Sequence, residues 1–81
     1  MASIRLNLGC GDNLLEGYIN VDKYDKAADV QADITELPYK DNSIDEIVAY
    51  QVIEHVPYNQ NDKMFQEFYR VLKPGGTCIL E

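Results

Sequence analysis

The chain has 81 residues, 46% hydrophobic and 26% charged, with 7 basic against 14 acidic side chains and a formal net charge of -7. That length bounds it to a single domain with a modest share of buried surface, and the composition is that of a globular chain rather than a disordered one. With no basic patch to release counterions, the charge balance argues against binding nucleic acid through general phosphate electrostatics, short of a basic site supplied by a further segment or a partner.

No apolar run approaches the length of a membrane span, and the first residues lack the hydrophobic core of a signal peptide. No membrane association is expected, and the cytoplasm is the expected location. Two cysteines, Cys10 and Cys78, make no disulfide framework. A zinc site would need His55 and a carboxylate beside both, so no metal is expected.

In chain order, "SIRLNL" alternates and then turns apolar, which predicts a strand running into Gly9, Cys10 and Gly11. A glycine turn of this kind is either a plain bend or a loop that lets backbone approach a small ligand closely. "GYINVDKY" predicts a second strand, rich in β-branched and aromatic residues, and "ADVQADI" a short third. "ELPYKDNS" carries Pro38 and the turn formers Asp41, Asn42 and Ser43, and reads as a loop. The strongest strand signal is "IDEIVAYQVI", Ile44 to Ile53, closed by Pro57.

From Asn59 the period changes. Met64, Phe65, Phe68, Tyr69 and Leu72 recur at helical spacing with polar residues between them, a stripe that predicts core packing against a sheet. Asn59 or Asn61 is the expected cap, and "KPGG" the expected stop. "TCILE" begins one more strand. Strands separated by a turn and a helix predict a three-layer α/β arrangement with a mainly parallel sheet of about five strands. Two features fit this poorly. The connection from Gly9 to Gly17 is shorter than a parallel crossover normally needs, and the last strand leaves an open edge. That edge belongs either to a longer chain or to a partner, a second copy of this chain included.

The acids sharpen the reading. Asp22 falls at the end of the second strand and Asp33 at the end of the third, where open parallel sheets bind ligands. A carboxylate beside the glycine loop can accept both hydroxyls of a ribose, and one a strand further can accept from the amino group of adenine. Each has a plain structural reading as well: Asp22 as a strand end or a cap for "KYDKAAD", Asp33 as an N-cap or Asx turn before Thr35 and Glu36. A pyrophosphate-bearing cofactor fits less well, because the loop lacks a third glycine and carries Asp12.

With these motifs in order, the chain resembles the N-terminal, cofactor-binding part of a class I, Rossmann-like S-adenosylmethionine-dependent methyltransferase. "LNLGCGDN" resembles the family's glycine-rich motif, "INVDKY" its ribose-binding segment, "ADITELPYKDNSIDEIVAYQVIEHV" the stretch from adenine to the fourth strand, and "LKPGG" with "TCILE" the start of the fifth. The resemblance implies strand order 3-2-1-4-5 without the family's last strands, and residues 1–81 as a single, partial S-adenosylmethionine-binding domain. It implies that Gly9, Cys10 and Gly11 wrap the methionine part of the cofactor, Asp22 holds the ribose, and Asp33 meets adenine with the Ile34 backbone beside the ring. Gln51, with Tyr50, would face the sulfonium end.

Asn7 stands where the family often has an acid that contacts the cofactor's amino group, and the helix before the second strand is shortened to "DNLLEG". Glu54 and His55, in "IEHV", are the candidates for a general base, or else residues that turn the chain after the fourth strand. Asp12 and Asn13 either line the site or finish the turn. The implied activity is methyl transfer from S-adenosylmethionine, leaving S-adenosylhomocysteine, to an unidentified acceptor expected to be a small molecule. The alternatives are a non-catalytic S-adenosylmethionine-binding module and a nicotinamide-dependent oxidoreductase, the latter disfavoured by the missing third glycine and by "LKPGG".

Overall fold

A computed structural model describes residues 3–11, 13–50, 52 and 56–80. Four strands, β1 (Arg5–Leu8), β2 (Ile19–Val21), β3 (Ile44–Ala49) and β4 (Leu72–Leu80), form one parallel sheet in the order β2-β1-β3-β4. Leu6 pairs with Ile19 on one side and Ile47 on the other, so β1 lies at the centre where the strand order reverses. Beyond β2 the expected third strand is reduced to a single parallel bridge, Val21 to Val30. Counting that bridge as a strand position gives the expected order 3-2-1-4-5.

Helix α1 (Asn61–Val71) connects β3 to β4 after a 3-10 turn at Tyr58–Gln60. Met64, Phe68 and Val71, spaced by four and three residues, are its buried face. They join Leu6, Leu8, Val21, Ile44 and Ile47 in the core, each of which is fully buried. The predicted stripe is thus narrower than its sequence pattern: Tyr69 is 84% exposed and Phe65 lies at the margin, its ring edge-on to Phe68. The helix contains no span long and apolar enough to cross a membrane.

Both ends of α1 differ from the expected caps. The N-cap is Gln60, whose side chain makes no capping hydrogen bond. At the other end the helix stops at Val71 because Leu72 is already extended, and "KPGG" belongs to β4 rather than to a helix stop. Carbonyls left open in the last turn need partners. The Asn42 and Ser43 amides donate to those of Arg70 and Val71, at 2.9 and 2.8 Å. Arg70 fixes the same loop from its side chain, donating to Glu67, to Asp41 and to the carbonyls of Leu37 and Tyr39. The register of β4 slips where Pro74, Gly75 and Gly76 bulge out between the Leu72–Ile44 and Thr77–Glu46 pairs, with Gly75 at φ 82°.

The short β1–β2 connection is parallel despite its length, and the physical reason is a buried amide network. Asn7 and Asn20, 2% and 7% exposed, face each other from the paired strands. Asn7 Nδ2 donates to Asn20 Oδ1 at 2.9 Å and to the Asn13 carbonyl at 2.8 Å. Asn20 Oδ1 also accepts from the Leu15 amide at 2.8 Å, while its Nδ2 donates to Asp29 Oδ2 at 3.0 Å. These bonds satisfy loop backbone that a longer crossover would satisfy within a helix.

Candidate functional site

The carboxyl ends of β1 and β2, the turn after Val30 and the segment leading to α1 enclose a cleft of about 600 Å³. Its wall includes Gly9, Asp22, Asp33 and Ile34, brought together from three separate stretches of sequence. The volume is within the usual range for small-molecule sites, about 300–1,000 Å³. Ala32, Ile34, Val52 and Val56 supply apolar surface, and Asp22 and Asp33 the acceptors.

Gly9 sits at φ 64°, and a Cβ there would lie 2.5 Å from Val52 Cγ2. Only glycine fits both demands, which is why the loop can fold back at the end of β1. Cys10 is buried behind it, with its amide donating to the Val21 carbonyl at 3.1 Å. Burial, reinforced by the charges of Asp22, Asp25 and Asp29, raises its thiol above the ordinary range and disfavours the thiolate.

Asp22 ties the cleft together. Its Oδ2 accepts from the Gly11 amide at 2.9 Å, and its Oδ1 from the amides of Tyr24 and Asp25 at 2.8 and 3.0 Å. Burial pushes this carboxyl up, but the three amide donors outweigh it and hold it below the ordinary carboxylate range. It is therefore ionised at neutral pH, and a carboxylate with about four lone-pair sites still has acceptor capacity on Oδ2. The capping reading of Asp22 is realised without using up the group. Asp33 is similar: Oδ1 accepts from the Thr35 amide and hydroxyl at 2.9 and 2.7 Å, forming the Asx turn. The Thr35 hydroxyl, then its amide, hold Asp33 below the ordinary range.

Asn7 lies under the cleft rather than in its wall, with its amide nitrogen committed to Asn13 and Asn20. Tyr50 is half-buried just past β3. Asp12, Gln51, Glu54 and His55 lie outside the described residues. Lys23, Tyr24, Thr35, Pro57 and Gln60 also line the cleft and were not singled out from the sequence. Lys23 and Tyr24 had a signal, their place directly after Asp22; Pro57 and Gln60 had none, being brought in by the approach to α1.

A glycine turn at a central strand end, an ionised carboxylate at the next and a second carboxylate beside apolar side chains line one cleft of an α/β protein, with its acceptors at Asp22 and Asp33 and apolar surface at Ile34. The methyltransferase domain family matches residues 13–80, and the chain belongs to that family, the Rossmann-like S-adenosylmethionine-dependent methyltransferases. The match begins after the glycine turn, so Gly9 and Gly11 rest on the geometry above.

The chain is 46% identical over 50 residues to the ubiquinone/menaquinone biosynthesis C-methyltransferase UbiE of Brucella canis, covering 62% of this chain and 18% of that one. It is 34% identical over 65 residues to the sterol 4-C-methyltransferase strm-1 of Caenorhabditis elegans, covering 80% and 19%. The chain thus spans about a fifth of the length of these curated relatives. Among solved structures, a Methanococcus maripaludis protein assigned to the S-adenosyl-L-methionine-dependent methyltransferases superposes with a TM-score of 0.79 at 20% identity, over 99% of this chain and 48% of the other. The phosphoethanolamine N-methyltransferase 2 of Haemonchus contortus, solved with phosphomonomethylethanolamine and S-adenosylhomocysteine, superposes at 0.71 and 24% identity, over 99% and 24%. At these identities the superpositions speak to the fold.

Proposed function

We propose that this chain forms the cofactor-binding part of a methyltransferase that uses S-adenosylmethionine to methylate a small organic acceptor. The observation that carries the reading is the convergence of Gly9, Asp22, Asp33 and Ile34 on one cleft at the switch point of the sheet. In this reading Asp22 accepts from the ribose hydroxyls, Asp33 from the adenine amino group, and Ile34 packs beside the base. The backbone of Gly9, Cys10 and Gly11 follows the methionine portion. Asn7 acts one layer back, by holding Asn13 and Asn20 in place.

The bound cofactor would supply an electrophilic methyl group on a sulfonium. The chain's own part is alignment, because an in-line transfer gains most from holding donor and acceptor in register. Gln51 is proposed for the sulfonium end, and Glu54 or His55 for a general base where the acceptor is an oxygen or nitrogen. In sequence they lie between Tyr50 and Val56, and Val52 and Val56 are both at the cleft. That the curated relatives are named as C-methyltransferases of ubiquinone/menaquinone biosynthesis and of sterols supports a small-molecule acceptor.

Calorimetric titration with S-adenosylmethionine, S-adenosylhomocysteine and NAD tests the reading. Micromolar binding of the first two is expected, with none of NAD. Asp22→Asn keeps an oxygen for the Tyr24 and Asp25 amides but removes the charge and sets an NH2 against the Gly11 amide, and should weaken binding at least about 10- to 100-fold, the range of a hydrogen bond to an ionised group. Equal affinity in the variant, or a preference for NAD, would overturn it.

A further inference from the structure

Lys23 reaches across the cleft from the end of β2 to the turn that carries Asp33. Its Nζ donates to Asp33 Oδ2 at 3.2 Å, and the same ammonium lies 5.5 Å from the centre of the Tyr24 ring. All three residues line the cleft. The Asp33 carboxylate has two oxygens, and the Thr35 amide and hydroxyl already occupy Oδ1. With both sites of Oδ1 taken by Thr35, an amino group entering the cleft is received at Oδ2, where it shares the oxygen and its charge with the Lys23 ammonium. We propose that Lys23 is a built-in competitor for the base-reading carboxylate, a positioning residue that sets how strongly the cleft prefers a base bearing an amino group. This rests on the nucleoside reading of the cleft.

The energetics suit a competitor that yields. The Lys23 and Asp33 side chains are 54% and 39% exposed, and an ion pair in that setting is weak and screened by salt. A ligand amino group can displace the ammonium at small cost, after which Lys23 stays over the Tyr24 ring. A base with a carbonyl in place of the amino group presents an acceptor where adenine presents a donor, so it faces the Lys23 ammonium rather than the Asp33 carboxylate and gains nothing from the removal of Lys23.

The test is calorimetric titration of the unmodified chain, Lys23→Met and Lys23→Arg with S-adenosylhomocysteine and with S-inosylhomocysteine, which lacks the exocyclic amino group. Lys23→Met is expected to bind S-adenosylhomocysteine about two- to fivefold more tightly, the range an exposed pair can hold. Lys23→Arg should match the unmodified chain, the gain should be absent for S-inosylhomocysteine, and it should shrink as salt is raised. Unchanged or weaker binding by Lys23→Met overturns the proposal, as does an equal gain for both ligands, which would make Lys23 a plain obstruction. If the unmodified chain binds neither ligand, the nucleoside reading itself fails and takes this proposal with it.

Discussion

Asn20 is the side chain on which the candidate site depends most without touching it. Replacing it with alanine removes three well-formed hydrogen bonds, to Asn7 at 2.9 Å, to the Leu15 amide at 2.8 Å and to Asp29 at 3.0 Å. Two longer ones, to the carbonyls of Leu15 and Tyr18 at 3.3 Å, go with them. At about 1 kcal/mol for each of the three, with a further contribution from the Leu15 amide left without its partner, the loss is about 3–4 kcal/mol. A chain of this length has about 4–12 kcal/mol of stability in total, so the substitution removes a large fraction of it. Urea unfolding followed by circular dichroism reads this directly. With a slope of about 1 kcal/mol/M, the midpoint should fall by about 3 M. A fall of less than about 0.5 M would refute the argument that this network replaces the missing crossover helix.

Gly9→Ala should cost more than Gly11→Ala. Both carry the left-handed backbone penalty of about 1–2 kcal/mol. Only at Gly9 does the new Cβ meet a neighbour, 2.5 Å from Val52, whereas at Gly11 nothing lies within 4 Å. Thermal melts of the two variants check the order, and the reverse order would contradict the account. Stability should also fall with acid. Burial opposes ionisation at Asp22 but its amide donors win, the amide and side chain of Asn20 hold Asp29 down, and Asp33, Asp45 and Glu67 are likewise lowered by hydrogen bonds to their carboxylates. Folded values below the unfolded ones mean that the unfolded chain binds more protons in that window, so this stability is full above roughly pH 5 and is lost as pH falls through the folded values. A urea midpoint at pH 3.5 equal to that at pH 7 would contradict it.

The strands were legible where burial left a pattern. Leu6, Leu8, Ile44, Ile47 and Val48 lie buried on central strands, and they carry the apolar runs from which β1 and β3 were read. Where tertiary contacts decide the backbone, the pattern was silent. Pro74 marks the end of the helix locally, but nothing local shows that its last carbonyls are capped by the amides of Asn42 and Ser43, about thirty residues earlier. Tyr69 fits the helical stripe by spacing, yet α1 turns it to solvent, because Met64, Phe68 and Val71 already fill the face toward the sheet. The acids of the cleft were visible as strand ends. Lys23 follows Asp22 directly, a signal that places it near the cleft, but its pairing with Asp33, ten residues on, was not legible.

An adenosine-bearing ligand is expected to bind at the switch point of this sheet. Amide chemical-shift mapping of the isotope-labelled chain during titration with S-adenosylhomocysteine tests it residue by residue. The account predicts saturable shifts at Gly9, Gly11, Asp22, Asp33 and Ile34, with the Thr77 to Leu80 amides of β4 unmoved. Shifts confined to β4, or none at any of the five cleft amides, would contradict it.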